Sequence, residues 1–241
     1  MAPKHSVEVP GLVTHLAAIN ESTIQNRLLI TAGPTHEPID SVRYIGNRSS
    51  GRLGVAIADC AAGRGLEVNL LLGPGSSQPS DPRVRVSRFR TCKDLQEQLR
   101  IYAPEARTLI MAAAVADYRP KVDPAFLGGK FRRQDQKLTL ELEPTPDLLA
   151  EVARSRRPGQ LLVGFALEPR AEMLASARSK LERKKVDLVV ANPLETMDSG
   201  EIEAVVIDKS GAEFPTPGVM SKDSFAAWLL DLIDRVQAEP A

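Results

Sequence analysis

The sequence predicts an α/β protein built on a doubly wound, mostly parallel sheet. Three observations carry this expectation. Apolar runs without polar alternation recur at LLITA (28–32), LIMAAAV (109–115), LLVGFA (161–166) and DLVVA (187–191), which is how central parallel strands buried on both faces read. Helical patterns at 51–62, 92–102, 148–155 and 170–185 separate them. The first strand, its helix, Gly63 and Gly65, and a second strand at 67–72 form a βαβ unit, whose crossover is right-handed.

Residues 1–26 are weakly patterned, with at most a turn or two of helix over 12–19, and read as an extension ahead of one domain at 27–241. After the strand at 27–32 comes GPTHEPIDSVRYIGNRSSGRLG (33–54), about twenty residues where a strand-to-helix loop is usually a handful. It ends in Asn47-Arg48-Ser49-Ser50-Gly51: Ser49 or Ser50 can N-cap the following helix, and Gly51 lets a ligand approach the backbone. Amide groups at such a helix start suit an anion. Gly63 and Gly65 stop the helix, and Gly73-Pro74-Gly75 closes the second strand. Residues 79–82 read as linker and 84–89 as a third strand. Thr91 caps the helix at 92–102, with Leu95 and Leu99 as its narrow apolar face.

From 117 to 143 the periodicity breaks. Asp117 to Pro120 end the strand, Gly128-Gly129-Lys130-Phe131-Arg132-Arg133 is glycine-rich and basic, and 137–142 alternates, so a mobile flap with a β arm is expected. Asp147 N-caps the helix at 148–155. Residues 204–207 and 213–214 form a hairpin across Asp208-Lys209-Ser210-Gly211, and a last helix at 222–237 buries Phe225, Trp228, Leu229 and Ile233. The whole reads as a Rossmann-like doubly wound sheet with a flap and a C-terminal hairpin.

Of the 241 residues 43% are hydrophobic and 26% charged, and Lys+Arg equals Asp+Glu at 31 each. That balance argues against wholesale wrapping of nucleic acid or anionic membrane, so any phosphate-binding charge is local. Cys60 and Cys92 lack CxxC or Cys/His ligand spacing, so free thiols in a reducing cytosol are expected in place of a disulfide or zinc framework. No membrane-length apolar run or signal-peptide layout is present, and the expected location is cytoplasmic.

Ligands of such sheets bind beyond the carboxyl ends of the parallel strands. Asp117 follows the most buried run: ionised, it suits Mg²⁺ held against a polyphosphate, and equally a turn cap. Lys130 suits a flap that closes on developing negative charge, or a plain solvated basic loop. Phe165 can stack on a base or simply fill the core. Lys180 and Lys184, at i and i+4, can reach a ligand together or pair with Glu168, Glu172 or Glu182. His36 has no partner at ligand spacing. No Ser/His/Asp set, HExxH, Walker or GxGxxG motif occurs, which counts against an NAD(P)-dependent reductase; a non-catalytic nucleotide-binding module stays open as a rival.

The motifs TAGPTHEPIDSVRYIGNRSSGRLG (31–54), AAAVADYRP (112–120), KFRR (130–133), LTLELEPTPDLL (138–149), VGFALE (163–168) and ARSKLERKKVDLVVAN (177–192) resemble, in family order, phosphopantothenoylcysteine synthetase, the phosphopantothenate-cysteine ligase of coenzyme A biosynthesis. Bacterial members usually follow a flavin-dependent decarboxylase, so the resemblance implies a stand-alone form here. It implies that a nucleotide, CTP in most bacterial members, activates the 4'-phosphopantothenate carboxylate with Mg²⁺ or Mn²⁺. Pyrophosphate leaves, and the amine of L-cysteine then displaces CMP. An ATP-dependent version is the alternative.

By motif position, Asn47 resembles the asparagine needed for the acyl-nucleotidylate step and Lys130 the flap lysine needed for its conversion to product. Ala112, Ala113, Asp117, Pro146, Asp147, Leu148, Leu149, Phe165, Lys180 and Lys184 match nucleotide-contacting positions, Asp117 doubling as the metal ligand. Ser49, Ser50 and Gly51 match the phosphate turn. The resemblance further implies a homodimer in which arms and loops of one subunit complete the other's site, with small-molecule substrates and neither nucleic acid nor membrane as partner. The departures are Arg132 and Arg133 for two flap lysines, Thr145 for an asparagine before Pro146, Leu167-Glu168-Pro169 for an earlier Glu-Thr, and Pro193 for an aspartate. They bear on nucleotide preference and rate.

Overall fold

A computed structural model describes residues 26–121, 129–130 and 139–238. Residues 1–25 of the expected extension, and Arg132 and Arg133 of the flap, lie outside them. Strand β1 (Arg27–Ala32) is followed by β2 (His36–Pro38) and β3 (Tyr44–Gly46), an antiparallel hairpin inside the long loop that the sequence pattern does not announce. Helix α1 (Arg52–Gly63), β4 (Glu67–Leu72), β5 (Arg85–Arg88) and α2 (Cys92–Tyr102) complete the first half. The second half runs β6 (Thr108–Met111), β7 (Tyr118–Pro120), β8 (Leu142–Pro144), α3 (Leu148–Ser155), β9 (Leu161–Glu168), α4 (Met173–Lys184) and β10 (Leu188–Pro193). Then follow β11 (Glu201–Ile202), β12 (Val205–Asp208), β13 (Glu213–Pro215), β14 (Met220–Ser221) and α5 (Lys222–Ala238).

The main sheet has eight strands in the order β13-β12-β10-β9-β6-β1-β4-β5. The six from β10 to β5 are parallel, and the expected C-terminal hairpin, β12 and β13, extends the sheet antiparallel from β10. The chain winds outward from β1 through β4 to β5 and resumes on the other side of β1 at β6. The topological switch point therefore lies between β1 and β6, where sheets of this kind open a crevice at their carboxyl ends.

Strand alternation sends Leu28, Ile30 and Ala32 to one face and Leu29 to the other. The first face is covered by α1 and α5 through Val55, Ala58, Ala61, Phe225, Leu229 and Ile233, with Trp228 only partly buried beside them. The second is covered by α2, α3 and α4 through Cys92, Leu95, Leu99, Leu148, Val152, Met173, Ala177 and Leu181.

Helix α2 starts as expected at Thr91, whose side chain accepts from the Asp94 N–H while Asp94 accepts from the Thr91 N–H, a capping box. Two expectations shift. Helix α4 begins at Met173 and not at 170, because Pro169 opens a turn closed by the Glu172 N–H on its carbonyl. The arm pairs Tyr118–Pro120 with Leu142–Pro144, so among the described residues its return strand begins at Leu142, and positions 137 and 138 of the expected strand lie outside them.

Candidate active site

The switch point is stitched shut by hydrogen bonds. The Thr31 hydroxyl accepts from the Ala113 N–H at 3.1 Å, and the Thr35 hydroxyl from the Ala116 N–H at 3.0 Å. Both threonines are fully buried. Backbone bonds from Ala112 to Thr31, Ala114 to Gly33 and Thr35 to Ala114 extend the β1/β6 pairing beyond the strands. From the far side, the Thr145 hydroxyl donates to the Ala116 carbonyl at 2.6 Å. Thr145, the departure from the family asparagine, thus holds the 113–117 turn.

Over this platform lies a cleft of about 630 Å³. One wall is the end of the long loop and the start of α1, residues 46–54; the other carries Ala112, Ala113, Val115, Asp117, Phe165, Leu167, Glu168 and Lys180. A second hollow of about 430 Å³ shares Ala113, Val115, Asp117, Phe165 and Lys180 and adds Thr145, Pro146, Asp147, Leu148, Leu149, Arg183 and Lys184. Apart from Lys130, every sequence-predicted site residue lines one or both.

Asn47 is exposed, and its amide donates to the Val115 carbonyl at 2.9 Å, tying the loop to the turn after β6. The capping expectation for Ser49 and Ser50 is corrected. Gly51 is the N-cap of α1, in the left-handed region at φ 68°, and no side chain caps it. Ser49 Oγ instead accepts weakly from the Gly51 N–H at 3.4 Å, within its own turn. A Cβ at position 51 would fall 2.5 Å from Ser76 Oγ, so glycine is required by space as well as by φ.

Phe165 is half-buried on the floor shared by both hollows. Lys180 donates its ammonium to the Phe165 carbonyl, fixing the end of β9. Burial pulls the Lys180 pKa below its ordinary value; Glu168 and Asp117 oppose this, and Arg183 adds to it. An anion placed here would recover part of the lost solvation.

Lys184 pairs with Asp147, which also caps α3 by accepting from the Ala150 N–H at 3.1 Å. The sequence alternative of pairing with Glu168, Glu172 or Glu182 is not what the structure holds for Lys184. Lys130 is exposed and lies outside the cleft lining; its neighbour Gly129 accepts from the Ser41 N–H at 3.0 Å, which ties Gly129 to the long loop. His36 stacks on Tyr44 at 3.6 Å between centroids, a packing role inside the hairpin.

Asp117 is exposed at the rim, and among the described residues no three His, Cys, Asp or Glu side chains gather as a metal cage. A single carboxylate beside a cleft fits the magnesium mode in which substrate phosphates and water supply the other ligands. Sequence reasoning missed Arg48, Arg52, Asn192, Thr196, Asp198 and Lys222, which complete the cleft. Asn192 ends the last of the quoted motifs and Thr196 follows it closely, whereas Asp198 and Lys222 arrive from segments beyond the motifs. Asp198-Ser199-Gly200 carries turn chemistry, but nothing in it signals a cleft. No helix among the described residues is long and apolar enough to cross a membrane.

Residues 23–236 match the family described as DNA/pantothenate metabolism flavoprotein C-terminal domain. A cysteine/cysteine sulfinic acid decarboxylase from an unknown prokaryotic organism is 40% identical over 82% of this chain and 56% of its own length. The coenzyme A biosynthesis bifunctional protein CoaBC of Mycobacterium tuberculosis is 40% identical over 76% of this chain and 44% of its own. The chain thus spans about half the length of these relatives. The crystal structure of the C-terminal domain of a CoaBC protein superposes with a TM-score of 0.72 at 32% identity, covering 88% of this chain and 95% of that one. With nearly its whole described length matched in sequence and architecture, this chain belongs to the DNA/pantothenate metabolism flavoprotein C-terminal domain family.

Proposed function

We propose that this chain is a ligase that joins 4'-phosphopantothenate to L-cysteine through an acyl-nucleotidylate, with CTP as the activating nucleotide and Mg²⁺ or Mn²⁺ at Asp117. The observation that carries the reading is the two-part cleft at the switch point. Its Asn47 wall faces the 112–117 turn, and its floor holds Phe165 and Lys180, all within a chain of this family.

The chemistry sets the division of labour. A carboxylate is a poor acyl donor at neutral pH, so its oxygen must first attack the nucleotide α-phosphorus. Asn47, anchored by its bond to Val115, presents an amide that orients the carboxylate and the acyl phosphate that follows. The Ser49-Ser50-Gly51 turn meets phosphate with backbone N–H groups at the start of α1. Phe165 and the turn at Pro146, Asp147, Leu148 and Leu149 border the nucleoside, while Lys180 and Lys184 add positive charge beside it. A bound divalent ion would neutralise phosphate charge. Lys130 is assigned to the second step, reaching the acyl-nucleotidylate as cysteine attacks and stabilising the tetrahedral oxyanion.

We further infer a homodimer. The 36–46 hairpin and the β7/β8 arm pack against each other and leave Val42, Tyr44, Tyr118 and Leu142 exposed, an apolar surface suited to a second copy. Light scattering at micromolar concentration tests this, and a strict monomer would refute it.

The deciding experiment for function incubates the protein with cysteine, Mg²⁺ and either CTP or ATP, with and without phosphopantothenate, and follows pyrophosphate release. Release should require phosphopantothenate and favour CTP. No release with either nucleotide would refute the ligase, and greater release with ATP would refute the CTP assignment.

A further inference from the structure

The ligase reading leaves one part of the cleft without a role. Arg48, Arg52 and Lys222 gather there with a single carboxylate, Asp198; the other two carboxylates of the cleft, Asp117 and Glu168, act on Lys180 instead. Arg52 is the first residue of α1, whose first turn carries no acidic side chain, and Lys222 is the first residue of α5. A helix start bears partial positive charge and disfavours a cation, so each of these placements is unfavourable on its own. Asp223 lies in the first turn of α5 but is exposed and does not line the cleft.

Lys222 is half-buried. Burial lowers its pKa, Arg52 adds to that, and Asp198 opposes it. Among the described residues neither Arg52 nor Lys222 has an ion-pair partner, whereas Arg48 is paired with Asp198. The placement is built in. The Lys222 N–H donates to the Gly200 carbonyl at 3.1 Å, and β11 pairs with β14 around buried Ile202, so the turn that carries Asp198 is tied to the start of α5. Asp198 itself sits at φ 60°, a conformation uncommon for a residue with a side chain. Two converging helix starts and three cations against one carboxylate make a subsite for a ligand with several negative charges.

We propose that Arg52 and Lys222 bind the two terminal phosphates of the nucleotide and hold the leaving pyrophosphate, with Asp198 the internal anion that occupies Arg48 until they arrive. The identity of the nucleotide rests on the ligase reading; the polyphosphate subsite does not. In the activation step the substrate carboxylate oxygen forms a bond to the α-phosphorus. The bond from that phosphorus to the bridging oxygen breaks, and the oxygen departs with its electron pair as pyrophosphate. Charge grows on this leaving group, and fixed cations beside it lower the barrier.

Calorimetric titration with inorganic pyrophosphate tests the assignment in the wild-type chain and in Lys222→Met, Lys222→Arg and Asp198→Asn, with CMP titrated in parallel. Lys222→Met should bind pyrophosphate about tenfold more weakly, as expected for one charge-assisted hydrogen bond, and keep its CMP affinity. Lys222→Arg should restore most of the pyrophosphate affinity, and Asp198→Asn should bind it several-fold more tightly, as expected on removing a competing charge. Absence of pyrophosphate binding in the wild type, equal binding in Lys222→Met, or a parallel loss of CMP binding would overturn the proposal. If Lys222→Met fails to fold, unchanged or weaker binding in Asp198→Asn overturns it instead. A chain that binds pyrophosphate as described but releases none from CTP or ATP refutes the ligase alone.

Discussion

Replacing Gly54 with alanine puts the packing of α1 under direct test. Gly54 is buried in the first turn of the helix, and a Cβ there would sit 2.5 Å from Ala32 Cβ and 3.3 Å from Ala32 Cα. Neither atom can swing aside, since Ala32 ends the central strand β1. Carbon atoms prefer about 3.5–4.0 Å, so the helix start must retreat by about 1 Å. Overpacking of this kind costs about 1–3 kcal/mol, against which the better helix propensity of alanine returns up to about 1 kcal/mol. For a chain of this size each net kcal/mol lowers Tm by about 2–4 °C. The retreat also moves the wall that carries Asn47 to Gly51, so kcat/KM for the nucleotide should fall by tenfold or more, on the order expected for a misplacement of this size. Differential scanning fluorimetry and the pyrophosphate assay read the two effects. Gly63→Ala in the last turn of the same helix is the control: no atom lies within 4 Å of its added Cβ, and Tm should hold or rise. Gly54→Ala with unchanged Tm and unchanged kcat/KM would show that helix and strand are not in close contact, and would refute the reasoning.

Asn47→Asp keeps the shape but turns a donor into a charged acceptor facing the Val115 carbonyl, beside an incoming carboxylate. Activity should fall about a hundredfold or more while Tm stays nearly constant, and mass spectrometry should find no acyl-nucleotidylate; near-normal turnover would remove Asn47 from the mechanism. Lys130→Gln should instead let the acyl-nucleotidylate accumulate when cysteine is supplied, and its absence in a quenched reaction would refute the second-step role. The Cys92 thiol is pushed up to about 11, mainly by burial and then by the Glu37 charge. A raised thiol pKa favours the neutral form, so thiolate appears only as the pH approaches that value, and at pH 8 it amounts to about one molecule in a thousand. Iodoacetamide at pH 8 should therefore modify half-buried Cys60 and spare Cys92; equal modification of both in the native protein would contradict the packing of α2.

What the sequence makes legible follows the reach of each interaction. The strands β1, β6, β9 and β10 are apolar on both faces, so their burial is written into consecutive residues. Thr91 and Asp147 cap their helices through neighbours three positions away. The 36–46 hairpin is not legible because its strands are three residues long and include Pro38 and Gly46, which erase the alternation that marks a strand. The union of β12 with the edge at β10 depends on a partner and leaves no local mark. Side-chain pairing shows the same limit. Lys184 has Glu182 on its own helix and Glu172 and Glu168 just ahead of that helix, yet takes Asp147 from the cap of another; Arg48 takes Asp198, 150 positions away. Ser49 and Ser50 looked like caps because their residue types suit one, yet the left-handed turn at Gly51 aims the helix start elsewhere.

The length of the 33–54 loop has a physical explanation in what it must touch. Its carboxylates are not solvated. Glu37 is buried and accepts the Cys92 N–H at 2.7 Å, which pins the loop to the start of α2, and the side chain of Asp40 is buried against Arg43 while accepting the Val42 and Arg43 N–H groups. Buried carboxylates held by backbone N–H groups convert a long excursion into a fixed arm, since displacing Glu37 would strand the buried Cys92 N–H and displacing Asp40 would break the bonds that close its own turn. That arm's further bonds include those from the Ser41 N–H to Gly129 beside Lys130 and from the Asn47 amide to Val115 in the turn after β6. A short phosphate turn would reach neither. One rigid element therefore sets the distance between the residue assigned to carboxylate activation and the root of the flap assigned to the second step. Two half-reactions that share an acyl-nucleotidylate sensitive to water require such a fixed relation, because the intermediate must meet its second set of donors without leaving the cleft.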